Sequence, residues 1–457
     1  MSVTAKETPQ DPGAGGAPAP SPARTLTSST IGSVIEWYDF TVYGTAAALL
    51  FDKLFFSNVS PATGTLASFA TFAVGFIARP LGGLIAGHFG DKLGRKATMV
   101  VTLTVMGIAT TLIGVLPTFA QIGIWAPVLL LVLRIFQGLA VGGEWGGAAL
   151  LAVEHAPPGR RGLYGAWPQT GVSAGLLLGT GAFSLVSLLP EAQLMAWGWR
   201  LPFLVSIVLA AFGFYMRYRL TESDSFKEVT EESGVARMPL IEAVRTHGKE
   251  ILIAFGVRFA EGGNYYLIST FVLAYLTGHL GMDQQSGLTA ELIAAAVNIA
   301  VLPLWGALSD RLGRKPVFLF GAVFMALYAV PFFWLLDTRS PLLVTVALVI
   351  MLGIPHGAVY APLSAFYAEL FTPRVRYSGM SIGYQAGSVL LGGFTPLIAA
   401  SLLETSHVAM SVAAMIAGGA VVAAVAMSLA PETYRRRLEG RPEPAAAAVG
   451  AESATTA

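Results

Sequence analysis

The sequence has no cysteine and little charge: only 12% of its 457 residues are Asp, Glu, Lys or Arg. The first absence excludes disulfides, thiolate catalysis and cysteine metal sites. The second excludes an ordinary soluble globule, which is about a quarter charged. With 54% hydrophobic residues, lipid is the better solvent for this chain. A formal net charge of +1 carries no signal for nucleic acid. No His-Glu-x2-His, P-loop or Gly-x-Ser-x-Gly pattern occurs, and no polar segment is long enough for a catalytic or output domain. The expectation is therefore neither an enzyme nor a sensor, with no cofactor and no metal. Residues 1–28 have no signal-peptide pattern and read as a disordered tail, and 431–457 read as a second tail, disordered toward its end.

Between the tails the sequence is almost continuously apolar. A span needs about 20 such residues, and twelve candidates fit: 29–51, 64–89, 97–117, 124–152, 163–188, 199–219, 249–277, 287–308, 316–336, 341–368, 377–402 and 407–430. The runs are too long and too uniform for a membrane β-barrel. With both termini cytoplasmic, 22 of the 28 Lys and Arg fall in inside segments. Only Lys53, Arg200 and Arg339 fall outside, while Arg79, Arg134 and Arg258 lie within spans. That asymmetry is a positive-inside signal and favours an even number of spans.

An internal repeat gives the architecture. Gly87-x3-Asp91-Lys92-Leu93-Gly94-Arg95-Lys96 after span two returns as Gly306-x3-Asp310-Arg311-Leu312-Gly313-Arg314-Lys315 after span eight. Gln137-Gly138 in span four matches His356-Gly357 in span ten, and Glu154-x6-Arg161 matches Glu369-x6-Arg376. The reading is an all-α polytopic membrane protein of two parallel six-helix repeats. Its domains are an N-terminal bundle over 29–219, a linker over 220–248 and a C-terminal bundle over 249–430. Such parallel repeats occur in secondary transporters, with the solute between halves near the midplane.

The two Gly-x3-Asp-Lys/Arg-x-Gly-Arg-Lys turns resemble the signature of the major facilitator superfamily, as does Arg134-x2-Gln137-Gly138. More specific stretches resemble the metabolite:proton symporter family: Glu36-Trp37-Tyr38-Asp39-Phe40, Ala78-Arg79-Pro80-Leu81-Gly82, Gly142-Gly143-Glu144-Trp145-Gly146-Gly147, Gly198-Trp199-Arg200-Leu201-Pro202-Phe203 and Arg376-Tyr377-Ser378-Gly379. The first half looks nearest to the shikimate-type branch, while the second leaves the solute open. The resemblance implies a monomeric, multi-pass protein of the cytoplasmic membrane. It also implies a proton-coupling role for Arg134, and gating for the turns through Asp91, Arg95, Glu154, Arg161, Asp310, Arg314, Glu369 and Arg376. Glu154 and Glu369 are the expected partners of the arginines.

Charges deep in a span are costly, by at least about 2.5–3.5 kcal/mol each. Seven stand out: Glu36, Asp39, Arg79, Arg134, Glu144, Arg258 and Glu261. At 1.5 Å per residue, Arg79 lies roughly 15 Å from the inner end of its span, near the midplane. Glu36/Asp39 and Arg258/Glu261 are each three apart, which places each pair on one helix face. Arg79 falls on a Gly75, Gly83, Gly87 stripe, where a neighbouring helix comes close. These charges either pair to fix packing or line a wet chamber. In the second reading Arg79, Arg258, Arg134, Tyr38, Gln137 and His356 hold a carboxylate or zwitterionic solute. Asp39, Glu36, Glu261 and Glu144 then carry the coupling proton. The functional expectation is proton-coupled import of a small organic acid or zwitterion. An exporter of drugs or metabolites and an uncoupled facilitator are the alternatives.

Overall fold

The computed structural model describes residues 22–93, 95–141, 144–218, 244–373, 375–434 and 436. Among them there is no strand, and the long helices number twelve. In chain order they are α1 (Pro22–Leu49), α2 (Pro61–Leu93), α3 (Arg95–Val115), α4 (Trp125–Val141 continued by Glu144–Glu154), α5 (Arg161–Val186) and α6 (Leu201–Tyr218). The second half holds α7 (Gly248–Tyr266, wound on to His279), α8 (Gln284–Leu312), α9 (Arg314–Asp337), α10 (Pro341–Leu370), α11 (Arg376–Ser406) and α12 (Met410–Leu429).

α1 begins seven residues before the expected span and takes in part of the expected tail. Proline suits a first helical position because its missing N–H would have no partner there. The rest of the tails and the stretch 219–243 lie outside the described residues.

Among the described residues nine helices are long and apolar enough to cross a membrane, and the apolar stretch of α3, Val100–Val115, is slightly short. α1 and α7 are absent from the nine for a physical reason. They carry Glu36 and Asp39, and Lys249, Glu250, Arg258 and Glu261, so their mean hydropathy is low. Glu36, Asp39, Arg258 and Glu261 turn inward, while Lys249 is exposed at the start of α7. The surface facing away from the bundle is apolar instead, with Leu185, Leu252, Leu327 and Leu342 exposed.

Within the first half, α1 seats on the Gly171, Gly175 and Gly179 stripe of α5, where its backbone meets the helix directly. α2 crosses α4 equally closely at Gly138. The most extensive packing in the molecule joins α5 to α8, across the two halves. Contacts between halves run from one end to the other: Gln284 Nε2 donates to Ser187 Oγ at 2.7 Å, Asn298 Nδ2 to Ser173 Oγ at 2.9 Å, and Gly306 abuts Gly162.

The halves differ in helical winding. Wide π turns interrupt α7 at Leu267–Phe271 and Tyr275–His279, α10 at Leu352–His356 and α11 at Ser388–Gly393. Among the described residues the first half has none.

A Cβ on Gly138 would sit 2.1 Å from the Gly75 carbonyl oxygen, a backbone atom with little freedom to yield. Gly138→Leu should therefore destabilise the protein by about 1–3 kcal/mol or more, read as a lower thermal midpoint in detergent. Gly418→Ala should not lower it, because a Cβ there meets nothing within 4 Å.

Candidate functional site

The first half encloses a chain of polar groups around Asp39. Thr110 Oγ1 on α3 donates to one carboxylate oxygen at 2.9 Å, and Ser206 Oγ on α6 donates to the other at 2.7 Å. Gln137 Nε2 on α4 donates to Thr110 Oγ1 at 2.8 Å, and Arg134 donates to Gln137 one turn earlier. The Arg134 guanidinium lies over the rings of Tyr43 at 4.1 Å and Phe40 at 4.7 Å. Such faces attract a desolvated cation. Arg134 and Asp39 are thus linked through Gln137 and Thr110, and all four are buried.

Arg79 and Arg258 reach the boundary between halves from opposite sides. Arg79 lies over Phe40 at 4.1 Å and Phe76 at 4.3 Å, with Glu36 at 3.8 Å. Phe76 contacts Tyr266 of α7, which also stacks on Trp37 of α1. Arg258 pairs with Glu261, donates to Ser388 Oγ of α11 at 2.9 Å, and lies 3.9 Å from the centre of the Tyr384 ring. Tyr384 in turn stacks on Trp145 of α4 at 3.6 Å with only 9° between planes. Two guanidinium groups therefore meet an aromatic wall contributed by both halves. Around that wall the side-chain nitrogens of His356, the hydroxyls of Tyr266 and Tyr360 and the Nε atoms of both arginines make no hydrogen bond among the described residues. Buried polar groups without partners are rare in native proteins, so this cluster has hydrogen-bonding capacity left over for a polar guest or water.

At the end of the molecule that carries the turn Asp310–Lys315, Asp310 accepts from the backbone N–H groups of Gly162 and Leu163, at 2.7 and 2.9 Å. These open α5, so a carboxylate of one half sits at a helix N-terminus of the other, where the macrodipole favours it. Arg314 donates to Asp310 at 2.8 Å and to both oxygens of Glu369 at 3.1 and 3.2 Å. Arg161 approaches Glu369 at 3.8 Å, and Arg376 approaches Glu154 at 4.0 Å. Glu432 and Thr433, expected in the second tail, join this cluster: Glu432 accepts from the N–H of Arg314 at 3.0 Å, and Thr433 Oγ1 donates to Glu369 at 2.9 Å.

Several expectations are displaced. Glu36 and Asp39 do not share one environment: Glu36 faces α2, while Asp39 faces α3 and α6. Three residues on a helix are about 60° apart in angle, enough here to reach different neighbours. Tyr38 points into the first half, its hydroxyl donating to the Pro202 carbonyl at 2.7 Å, so it does not line the boundary. Gln137 and Arg134 lie on the Asp39 chain, inside the first half. The side chains of Asp91, Arg95 and Glu144 lie outside the described residues. The sequence reading missed Trp37, Trp145, Tyr265, Tyr266 and Ser388 as wall residues, although Trp37 and Trp145 stand inside quoted motifs. It also missed Glu291, an eighth charge within a span, buried in α8.

Residues 28–389 and 253–454 match the family model described as the Major Facilitator Superfamily. Over 419 residues the chain is 42% identical to the shikimate transporter of Escherichia coli K12, covering 90% of this chain and 95% of that protein. Over 430 residues it is 35% identical to the proline/betaine transporter of the same strain, covering 91% and 85%. Among solved structures it is similar to the xylose transporter XylE of E. coli in a partially occluded inward-open conformation, with a TM-score of 0.72, 17% identity and coverage of 91% and 99%. At that identity the likeness speaks for the fold alone. All three are transporters rather than enzymes.

Removing the Asp310 carboxylate should loosen the end it holds. The absence of native cysteine makes Ala166→Cys, beside Gly306, a unique label. Adding Asp310→Ala should speed thiol labelling there by about tenfold, the equivalent of one charged hydrogen bond.

Proposed function

The chain belongs to the major facilitator superfamily, and from that premise we propose that it imports a small organic acid or zwitterionic metabolite together with protons, by alternating access. It is a multi-pass membrane transporter. The end carrying the turn Asp310–Lys315 faces the cytoplasm in this proposal, in line with the distribution of Lys and Arg. The protein works as a monomer and needs no cofactor beyond the coupling proton.

The observation that carries the proposal is the pair of buried arginines, one from each half, on a shared aromatic wall with unmade hydrogen bonds around them. Guanidinium groups bind carboxylates through two parallel hydrogen bonds. A carboxylate held between Arg79 and Arg258 would draw the halves together, which links binding to closure. Trp37, Trp145, Tyr265, Tyr266 and Tyr384 would cover the apolar part of the solute. His356 and Tyr360 would meet its remaining polar groups. The relatives' printed solutes, shikimate and proline or betaine, fit this description as small molecules bearing a carboxylate.

Asp39 is the first-half proton carrier in this reading. Its two hydroxyl partners and the Gln137 link to Arg134 hold it inside one bundle. Protonation there would alter the Arg134 pairing without touching solute directly. The Asp310, Arg314 and Glu369 cluster would close the cytoplasmic mouth and part when that mouth opens.

The energetics set the stoichiometry. A potential of 100 mV is worth about 2.3 kcal/mol per charge, or roughly fifty-fold accumulation. One proton with a monoanion is electroneutral and responds only to the pH gradient. Voltage-driven uptake of a monoanion needs at least two protons.

In vesicles supplied with shikimate, proline and glycine betaine, the expectation is uptake of at least one, accompanied by external alkalinisation. Arg79→Ala and Arg258→Ala should each abolish that uptake while the protein still inserts. Arg258→Lys should reduce it by about tenfold or more, since an ammonium cannot make the paired contact. Normal uptake by the alanine variants would remove the arginines from the site. Asp39→Asn should keep solute binding but end alkalinisation, and unchanged alkalinisation would take Asp39 off the proton path.

A further inference from the structure

Glu291 is a buried carboxylate that the proposal above does not use. It lies two turns into α8 from Gln284, about 10 Å from that end, and is 2% exposed. Neither carboxylate oxygen makes a hydrogen bond, and no cation lies within ion-pair distance, among the described residues. The other buried carboxylates are offset. Glu36 has Arg79, Asp39 has two hydroxyls, Glu261 has Arg258, and Glu369 has Arg314 and Thr433.

The position is as informative as the isolation. α8 faces α5 of the other half, so Glu291 sits in the seam between halves. On the side toward the end opposite the basic turns, Gln285 Nε2 bonds Ser184 Oγ at 2.6 Å and Gln284 Nε2 bonds Ser187 Oγ at 2.7 Å. On the other side Asn298 bonds Ser173 at 2.9 Å. The seam is thus zipped above and below the carboxyl by neutral bonds. Thr180 of α5 stands beside it without a hydrogen bond of acceptable geometry, and Oδ1 of Asn298 also has none.

Among the described residues the ionisable groups around Glu291 offer it no cation. From α5 its neighbour is the hydroxyl of Thr180. From α7, Tyr265 lies close enough to feel its charge, and α10 brings His356 and Tyr360 next to Tyr265 and to each other. The same end of the second half carries Tyr275 bonded to Asp337, with His279 stacked on Tyr275, so those groups already have partners.

A carboxylate ion deprived of water and of any counter-charge is costly, and a neutral carboxylic acid is far less so. With the seam shut, the proton-bearing form is the one it accommodates. With the seam parted, water reaches the group and the ion is tolerated.

We propose that Glu291 is a second proton-binding site, loaded from the mouth opposite the basic turns and sealed with its proton when α5 and α8 close over it. The inference rests on the proton-coupled reading above and extends it to the second half. Protonation of Glu291 then licenses closure of that mouth, and release follows when the seam next meets water. With Asp39 in the first half, the transporter has one carboxyl per half, enough for the two protons that voltage-driven uptake of a monoanion requires.

The test needs no solute. Purified protein carrying Ser184→Cys as its sole thiol is labelled across a pH series. Rates are divided at each pH by those of a fully exposed sole cysteine, which removes the thiol's own ionisation; rising pH removes the Glu291 proton and favours the parted seam, so this corrected labelling should rise with pH, by up to about tenfold per unit. In Ser184→Cys/Glu291→Gln labelling should stay low and flat, and Glu291→Asp should restore the slope. The infrared spectrum at neutral pH gives a second readout: Glu291→Gln should lose one protonated-carboxyl C=O stretch. A pH slope and a carboxyl band both unaltered by Glu291→Gln would overturn the proposal. If both depend on Glu291 but wild-type vesicles show no solute-linked alkalinisation, the proton site stands and the symport reading fails instead.

Discussion

An ionised side chain surrounded by hydrocarbon must find its compensation in protein, because lipid supplies none. Nearly every feature of this molecule follows from that constraint. Arg134 is held over aromatic rings and bonded to Gln137; Arg258 has Glu261, Ser388 and the face of Tyr384. Burying these groups forces α1, α2, α4 and α7 to turn inward, against one another or against the opposite half. The apolar outer surface is the other side of the same arrangement.

The two ends of the molecule are joined by different chemistry. At the basic end the halves meet through charges: Asp310 on the first N–H groups of α5, with Arg314 and Glu369 behind it. At the opposite end neutral amide-to-hydroxyl bonds join them. Charged hydrogen bonds are roughly twice as strong as neutral ones, so the two mouths do not cost the same to open. In the proposed mechanism, a solute drawing Arg79 and Arg258 together would add to whichever closure is forming, and the proton groups would bias the balance.

Much of this was legible in the primary structure. Hydropathy, the Lys and Arg asymmetry and the repeated turn point to twelve helices in two parallel halves, and the match to the superfamily agrees. Arg79 and Arg258 could be singled out because arginine in an apolar run has few explanations. Helical spacing was less reliable. Glu36 and Asp39 are three apart, yet the angle between them was enough to reach different helices. Tyr38 was among the expected solute-holding residues, whereas its hydroxyl donates to the Pro202 carbonyl. Aromatic residues are common in spans, so nothing in the sequence distinguished Trp145 or Tyr266 from packing residues until the opposite half was in place. Glu291 was discernible as a lone acid in an apolar stretch, but its isolation is a property of the assembled seam.

The wide turns of α7, α10 and α11 have a consequence of their own. An i→i+5 turn swells the helix and leaves a ladder carbonyl poorly matched, so the rod is already weakened where it occurs. Among the described residues those four places, at Leu267, Tyr275, Leu352 and Ser388, all lie in the second of the two sister bundles. The sister bundles therefore differ in winding: the second holds four points at which its helices are already loosened and so bend at less cost.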